Sequence, residues 1–462
     1  MIPFFPKRSA LRCLLLVSLA VITTIAGSQL SIAQSQAPAP TYAQDIAPLL
    51  NSSCIECHYP GGIGPFSLRT YADVKNNANQ IAAATADRFM PPWRAQAGWG
   101  EFQNERRLSE TEIATIQAWA AAGAPAGDLA QLTPSPPIPD SGWRLGEPDQ
   151  VFTMPQAFDV PADGEDIYRY FVLDGALLED KTVVAIDFQP GAKAVVHHAN
   201  FFVDYEGRGR KLTAADPLPG FSTQETGGFM DYDGASAIGG WAPGVDPYQL
   251  PSGIGASLRQ GGEIVIEIHY HLKGQVQRDR SRLGLYYAKT PVEKYIEGLI
   301  IGTQDLEIPA GEANYWRQFG MVVPADMELV DISPHMHSVG KAMQAIATLP
   351  NGTQQPLICI PDWALDWQNT FVYRQPVRLP AGSRIDAWFR YDNSAANPAN
   401  PNQPPVKVQW GWQSTDEMSE IYLGVVPEDW HDGPKILAAA QASWWQWATP
   451  GQIPDPCSSV AN

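Results

Sequence analysis

Short runs in which apolar and polar residues alternate restrict the fold of this chain more than any other feature. The run EIVIEIHYHL (263–272) places its isoleucines on one face of a strand, and Glu267 and His269 on the other. Five more runs are candidate strands separated by turns rich in Pro, Gly and Asn: KTVVAIDF, HHANFFVD, MELVDIS, RIDAWFRY and VKVQWGW. This pattern predicts antiparallel β sandwiches. The strand-rich region covers about 310 residues, too many for one ordinary sandwich, so we expect two with a boundary near Tyr295.

The residues before this region favour helices. In SETEIATIQAWAAAGAPAG (109–127), Ser109 and Glu112 predict a capping box at the start of a helix, and Gly123 with Pro125 predicts its end. We therefore predict a multidomain protein, with a small all-α domain followed by two all-β antiparallel sandwich domains of jelly-roll-like form. The predicted segments are a signal peptide at 1–37, the α domain at 42–128, a linker at 129–142, and β domains at 143–294 and 295–450.

Net charge and the amino-terminal residues indicate an exported protein. The chain carries 49 acidic and 31 basic side chains, a net charge of −18, which argues against nucleic acid or an anionic membrane as a partner. The apolar stretch LLLVSLAVITTIAG follows three basic residues, Lys7, Arg8 and Arg12, as in a secretory signal peptide. An uncleaved anchor is the alternative, although the stretch is short for a spanning helix. We expect a periplasmic or secreted protein without membrane contact after cleavage.

The five cysteines fall into three groups. Cys13 lies in the predicted signal peptide, and Cys54 and Cys57 lie in the motif CIECH. Cys359 and Cys457 remain, and could form a disulfide in an oxidising compartment. Their distance in space does not follow from the sequence, so the pairing stays open at this point.

The motif CIECH matches the C-x-x-C-H pattern of c-type haem attachment. Cys54 and Cys57 would form thioethers to the porphyrin, and His58 would ligate the iron. A redox dithiol or half of a zinc site is the alternative, but no second cysteine pair lies nearby. Met90, in RFMPPW, is the only methionine between His58 and the linker, and is the candidate for the second axial ligand. The alternative for Met90 is a core position.

Residues 42–128 resemble a small class of cytochrome c domains, in which the haem motif comes first and a short MPP loop follows. The resemblance implies one covalently bound haem c and a role in electron transfer.

Three histidine pairs stand out in a chain with only eight histidines. His335 and His337, in PHMHSVGK, are two residues apart, so a strand would point both rings into one space, where they could chelate a metal. A solvated surface pair is the alternative. His269 and His271 also share a strand face, with Glu267 beside them as an acceptor. His431 stands apart, and we expect it at the surface.

His197 and His198 are adjacent, so a regular strand would point their rings to opposite faces. Both could bind one metal only at a strand end or at a β-bulge, where the backbone redirects one ring. Periodicity alone therefore predicts one core ring and one ligand. Imidazole suits zinc, copper, iron and nickel, whereas a thioether favours Cu(I).

Several motifs, in this order, resemble those of the copper type II, ascorbate-dependent monooxygenases, the family of dopamine β-hydroxylase and peptidylglycine α-hydroxylating monooxygenase. The resemblance spans about 145–430 and depends on EPDQVFTMPQAFDVPA, VVHHANFF, IEIHYHL with SRLGLYYAKTP, PHMHSVGK and STDEMSEIYL. It implies two copper centres across a solvent-filled cleft between domains. The implied ligands are His197, His198 and His269 for an all-nitrogen centre, and His335, His337 and Met418 for a nitrogen–sulphur centre.

The same resemblance implies an enzyme that hydroxylates a C–H bond of a small organic substrate with O₂. The sulphur-bearing centre would activate O₂, and the all-histidine centre would store and relay one electron. Electrons would come from ascorbate or a redox protein, delivered through the haem domain. Glu420 and Tyr422 would lie near the substrate; Glu420 suggests a cationic or polar substrate, with a solvated edge carboxylate as the alternative.

Two other functions fit the same motifs. A non-enzymatic electron-transfer or copper-handling protein would bind both metals without incorporating oxygen. An oxidase or reductase would use the same centres without oxygenating its substrate.

Overall fold

Short strands dominate the structure, as the alternating runs predict. The computed structural model describes residues 39–137, 142–222, 235–443 and 457 of the chain. The predicted signal peptide at 1–37 lies outside these residues. Among the helices of the described ranges, none combines the length and the apolar character needed to cross a membrane.

Helices are concentrated before residue 122. The α-helices of the described residues are α1 (Ala47–Ser53), α2 (Tyr71–Asn76), α3 (Ala78–Ala86), α4 (Glu110–Ala121), α5 (Arg208–Ala215) and α6 (Gly433–Ser443). Single helical turns lie at Tyr42–Ile46, Leu129–Gln131 and Trp430–Asp432. The predicted capping box of α4 is confirmed, because the Glu112 amide donates to the Ser109 hydroxyl and the Ser109 amide donates to the Glu112 carboxylate.

Two sheets that share one core form what we term the first sheet pair. Their strands, with two short strands beside them, are β1 (Gln150–Thr153), β2 (Phe158–Val160), β3 (Ile167–Val172), β4 (Lys181–Gln189), β5 (Val196–Asp204), β6 (Ala235–Trp241), β7 (Tyr248–Gln249), β8 (Ile254–Leu258), β9 (Glu263–Tyr270), β10 (Gln277–Asp279), β11 (Arg282–Tyr287) and β12 (Lys294–Tyr295). One sheet has the order β1-β11-β4-β8-β12 with β7 beside β4, and the other has the order β3-β9-β5-β6. Apolar side chains of both sheets meet in a common core.

The second sheet pair follows along the chain and has the same construction. Its strands, with two short ones beside them, are β13 (Glu297–Gly302), β14 (Glu307–Ile308), β15 (Tyr315–Val322), β16 (Met327–His335), β17 (Gly340–Thr348), β18 (Gln354–Ile360), β19 (Phe371–Leu379), β20 (Arg384–Tyr391), β21 (Val408–Gln409) and β22 (Glu420–Pro427). The two antiparallel sheets have the orders β13-β22-β16-β19 and β15-β20-β17-β18. They enclose one core.

Most of the predicted strands are present at the expected positions, in β4, β5, β9, β16 and β20. The run VKVQWGW is the exception, since only Val408–Gln409 is a strand there. Its partner β14 is also two residues long, so the ladder between them ends at once.

The predicted fold class, a separate all-α domain followed by two separate all-β domains, is wrong. From Pro40 onward the chain forms one compact, mainly β unit, and no distinct all-α cytochrome domain is evident. The reason is that the chain between α3 and α4 belongs to the second sheet pair: Ala95 and Phe102 lie in its core, and Phe102 pairs with Tyr373, although the helices also pack around a small apolar cluster of their own. The two sheet pairs are joined as well, because Leu250 and Ile254 of the first pair pack with Val330 and Val426 of the second.

Cys359 and Cys457 form a disulfide, with Cα atoms 5.7 Å apart and a separation of 98 positions in the sequence. The pairing that the sequence left open is therefore present. Both cysteines are buried with Trp99 and Ile346 in a small apolar cluster. The disulfide thus connects β18 to the carboxy-terminal end of the described chain.

Candidate metal centres

A β-bulge brings His197 and His198 together. In the ladder between β5 and β9, Val196 pairs with Tyr270 and His198 pairs with His269, and the register shifts between the two pairs. His197 is the additional residue, so its ring turns toward the same space as that of His198. The structure thus meets the condition under which both rings could reach one metal.

The rings of His197, His198 and His269 converge with ligand atoms within 4.8 Å of one another. The Nδ1 atoms of His197 and His198 are 3.2 Å apart, and those of His198 and His269 are 3.4 Å apart. Nitrogen ligands at the usual bond length around a tetrahedral metal are separated by about 3.3 Å. The spacing of these nitrogens therefore fits a metal ion, and we refer to the three residues as the histidine triad.

Burial keeps the triad neutral. Burial, and after it the neighbouring imidazoles, lower the pKa of His197 to about 3. The pKa values of His198 and His269 are also lowered, again chiefly by burial. At neutral pH the rings are therefore uncharged, and neutral imidazole is the form that binds metals.

Asp166 holds one ring of the triad and accounts for His271. His269 Nε2 is 2.9 Å from one carboxylate oxygen of Asp166, and His271 Nδ1 is 2.9 Å from the other. His271, which shares a strand face with His269, therefore contacts Asp166 instead of joining the triad. Tyr168 stacks on His269 from the other side, with ring centroids 4.1 Å apart. Asp166 and Tyr168 together fix the orientation of His269, so that its Nδ1 points to the triad.

His335 and His337 lie at and just beyond the end of β16, with their ring centroids 5.0 Å apart. Burial lowers the pKa of His335 to about 4 and that of His337 well below its ordinary value. His335 Nδ1 lies 2.5 Å from the Gln368 side-chain oxygen, which leaves Nε2 as its metal-binding atom. His337 Nδ1 is buried and has no hydrogen-bond partner among the described residues. A buried imidazole nitrogen without a partner is a position that a metal ion would satisfy.

The Glu417 carboxyl group connects the backbone of Met418 to that of His337. The backbone amides of His337 and Met418 both donate to Glu417 Oε1, and the amide of Val339 donates to Oε2. Met418 is 2% exposed. Glu417 is fully buried, and burial raises its pKa to about 8 even though these amides lower it in part. The carboxylate therefore holds the segments of His337 and Met418 against each other.

The two sets of histidines are in contact. The ring centroids of His198 and His335 are 6.3 Å apart, at a T-shaped angle. The family resemblance implies a solvent-filled cleft between the two centres, and at these two rings the structure has no such gap. The triad and the His335–His337 pair form one cluster between the sheet pairs, in which His269 and His337 are buried and the other three histidines are half-buried.

Glu420 and Tyr422 lie on β22, next to this cluster. Glu420 pairs in register with His335, and the Tyr422 hydroxyl donates to Glu420 Oε2 at 2.9 Å. The Tyr422 ring centroid is 6.3 Å from that of His335. Glu420 is 4% exposed, so the alternative of a solvated edge carboxylate is wrong.

The haem motif follows α1 directly. Cys54 caps that helix, and both Cys54 and Cys57 are free thiols. Burial raises the pKa of Cys54 to about 12 and also raises that of Cys57. Reactive dithiols and zinc thiolates have lowered pKa values, so these thiols are unlike a redox pair. His58 is buried, and its Nδ1 is 3.0 Å from the Phe66 carbonyl oxygen, which leaves Nε2 for a metal.

A cavity of about 720 Å³ lies against Cys57. This volume is within the range of pockets that enclose organic cofactors. The helical segment and the first sheet pair both contribute to its walls, whose apolar and cationic side chains include Ile63, Phe188, Trp241, Arg69, Arg144 and Lys193. The walls also carry the acidic side chains of Glu56, Asp73 and Asp187, and of the residues predicted to bind haem only Cys57 lines the cavity.

Met90 follows α3 and is partly buried, and its amide donates to the Ala84 carbonyl. The next residues pack on the second sheet pair, where the Asn369 side chain donates to the Pro92 carbonyl at 2.9 Å. His431 is exposed, as predicted, beside Asp429.

Three residues that contact this cluster were not predicted from the sequence: Asp166, Gln368 and Glu417. Each lies in a loop, and its histidine partner is at least 33 positions away in the chain. Glu417 was within a motif of the family resemblance, but no pattern around Asp166 or Gln368 indicates a role. Their function follows only from their contacts.

No protein-family model matches this chain, and no curated protein matches it either. Solved structures with partial similarity include the major capsid protein P2 of bacteriophage PM2, at 9% identity and a TM-score of 0.24, covering 60% of this chain and 97% of that one. PNGF-II has 11% identity and a TM-score of 0.24 over 63% of each chain. A two-domain protein of unknown function from Bacteroides fragilis has 8% identity and a TM-score of 0.14, covering 59% and 94%. Similarity this low supports no inference, and the copper monooxygenase resemblance stays a prediction.

Proposed function

We propose that this protein is a copper-dependent monooxygenase that hydroxylates a C–H bond of a small organic substrate with O₂. The observation that carries the proposal is the cluster in which the histidine triad contacts His335. Five neutral imidazoles that converge are a site for metal ions that bind nitrogen, and Met418, whose backbone Glu417 ties to that of His337, is the candidate thioether ligand that would favour copper.

The residues of the chain supply binding, orientation and exclusion of water. Bound copper would provide one-electron redox chemistry and the reduction of O₂. Asp166 and Gln368 each hold one imidazole by its second nitrogen, so that the first is directed at the metal. The lowered pKa values of His197 and His335 keep these rings neutral, the form that binds a metal.

The proposed reaction inserts one oxygen atom of O₂ into a C–H bond and reduces the other to water, with two electrons and two protons. Ascorbate or a redox protein would supply the electrons, through a haem attached at Cys54 and Cys57. Glu420 and Tyr422, beside His335, are the candidate contacts for a polar or cationic group of the substrate. We place the protein in the periplasm or outside the cell, in agreement with its disulfide.

A second candidate is an electron carrier on the same scaffold. The contact between His198 and His335 favours it, because adjacent metal centres exchange electrons without a substrate between them. A carrier would bind haem and copper but incorporate no oxygen.

Metal and haem quantification followed by ¹⁸O₂ labelling tests the proposal. The purified protein should hold two coppers per haem, and one substrate in a panel of amines, aromatics and small amphiphiles should gain one labelled oxygen. The matched control is His431→Ala, because His431 is exposed and away from the cluster; it should keep both coppers. The variant His197→Ala/His198→Ala should lose one copper and the labelling. Full metal content with no labelled product would support the carrier, and absence of copper binding would refute both candidates.

A further inference from the structure

The segment Trp367–Gln368–Asn369 lies between β18 and β19 and contacts both sides of Met90. The Trp367 ring is 5.5 Å from the Phe89 ring, edge to face. The side-chain amide of Asn369, a buried residue, donates to the Pro92 carbonyl at 2.9 Å. Met90 lies between Phe89 and Pro92 in the chain, so this segment holds the Met90 loop at two points.

The middle residue of the same segment contacts the metal cluster. Gln368 Oε1 lies 2.5 Å from His335 Nδ1, and Gln368 Nε2 donates to the Leu365 carbonyl at 3.0 Å. Because the amide nitrogen already donates to Leu365, the oxygen faces His335 and accepts from its N–H. The segment therefore joins the Met90 loop to His335 through one ring contact, one peptide bond and one hydrogen bond.

We propose that Trp367–Gln368–Asn369 is an electron bridge from the haem side of the molecule to the His335–His337 pair. The inference rests on the proposed function, and adds that electrons reach the cluster at His335. In the family that the sequence resembles, the all-histidine centre is the electron store. In this chain the triad would be reduced second, across the contact between His198 and His335.

The proposed step transfers one electron and breaks no bond. A haem held by Cys54, Cys57 and His58 would give up the electron, and a copper ion held by His335 and His337 would accept it. No proton has to move, because the hydrogen bond from His335 to Gln368 persists in both states. An external one-electron reductant, ascorbate or a redox protein, returns the haem to the ferrous state.

A photochemical reductant tests the bridge in the full-length protein with haem and copper bound, fully oxidised and without O₂. A pulse that reduces the haem should be followed by loss of the ferrous-haem absorbance and, in step, of the Cu(II) paramagnetic resonance signal. We expect this decay to be slower in Trp367→Leu and in Phe89→Leu than in the wild type. Trp430→Leu is the matched control, because Trp430 is 74% exposed and should leave the rate unchanged.

Haem content, copper content and the Cu(II) spectrum of each variant show whether the centres are intact. Phe89 is 45% exposed, so Phe89→Leu decides the outcome if Trp367→Leu fails to fold. Decay as fast in Phe89→Leu as in the wild type, with both centres intact, would overturn the bridge. A wild-type haem that stays reduced while copper is bound would instead refute electron delivery from haem to copper, and the bridge with it.

Discussion

Asp166 connects side chains from three parts of the sequence. Its carboxylate is 2.9 Å from both His269 and His271, and it accepts from the Ser414 hydroxyl at 2.8 Å. Burial alone would raise the pKa of Asp166, but the contacts with His269 outweigh burial and lower it. The residue therefore carries a negative charge beside the triad, which strengthens the imidazole of His269 as a metal ligand.

We predict that Asp166→Asn weakens copper binding by the triad by about 10- to 100-fold, because a neutral amide orients His269 less firmly. The measurement is competition with a chelator in a His335→Ala/His337→Ala background, which leaves only the triad to bind. His271→Ala is the control, since it removes the half-exposed partner of the same carboxylate and should change the affinity little. Equal affinities for Asp166→Asn and its parent would show that Asp166 does not support the site.

At the residue scale, the sequence identified the ligands better than their supports. Paired histidines in a histidine-poor chain are visible by spacing alone, and the structure brings His197, His198 and His269 together. Gln368 could not be predicted, because an amide in a loop has no periodic signature. Its contact with His335 depends on how the chain between β18 and β19 folds back.

At the scale of elements, the alternation of apolar and polar residues predicted most strands. It could not predict the β-bulge in β5 that brings His197 and His198 together. Period two places His197 and His198 on opposite faces, and only the extra residue in β5 reverses this. A bulge has no composition of its own in VVHHANFF. Helix ends are better marked, since the cap of α4 is encoded by Ser109 and Glu112 within one turn.

We predict that Ser109→Ala lowers the free energy of opening of α4 by about 1 kcal/mol, because the Glu112 amide loses its acceptor. Hydrogen exchange of the amides of α4, read by mass spectrometry, measures this local opening. Thr115→Ala is the matched control: its hydroxyl donates to the Thr111 carbonyl inside the helix and caps nothing. Similar exchange in the two variants would contradict a capping role for Ser109.

At the scale of the whole molecule, changes of composition did not coincide with the boundaries of cores. The residues after α3 have the composition of the helical segment, yet Phe102 is buried between β19 and other parts of the second sheet pair. Sequence patterns report which side chains are apolar, and cannot report which core receives them. The prediction of a separate all-α domain was therefore wrong although most strands were predicted.

The disulfide closes a segment of 98 residues, which includes β19 to β22 and α6. We predict that Cys359→Ser/Cys457→Ser lowers the free energy of unfolding by about 4 kcal/mol, because the unfolded chain regains the entropy of an open loop. Urea unfolding followed by tryptophan fluorescence measures the difference. Reductant should shift the wild-type midpoint and leave the double variant unchanged; a shift in both would point to an effect other than this bond.

Asp331 joins the two sheet pairs at their interface. The hydroxyl of Tyr248, from the first pair, donates to Asp331 Oδ2 at 2.6 Å. Gly424 lies so close that a Cβ there would be 2.2 Å from the same oxygen, so only glycine leaves room for the Asp331 carboxylate at this position. Burial raises the pKa of Asp331 to about 6 from an ordinary value of 3.8, although the Tyr248 hydroxyl lowers it in part.

The sign of the pH effect follows from this raised pKa. Between about pH 4 and pH 6 the folded protein holds a proton that the unfolded chain has lost, so stability decreases as the pH rises through this window. Above it the buried charge costs up to about 3 kcal/mol. We predict that Asp331→Asn, which keeps an acceptor for Tyr248, gains stability over the wild type at pH 8 but not at pH 4. Tyr248→Phe should instead make the decrease in stability with rising pH steeper, because the charged Asp331 carboxylate loses the hydroxyl that donates to it. Urea midpoints of the three proteins at both pH values measure the effect, and parallel pH profiles would show that Asp331 does not titrate in the folded state.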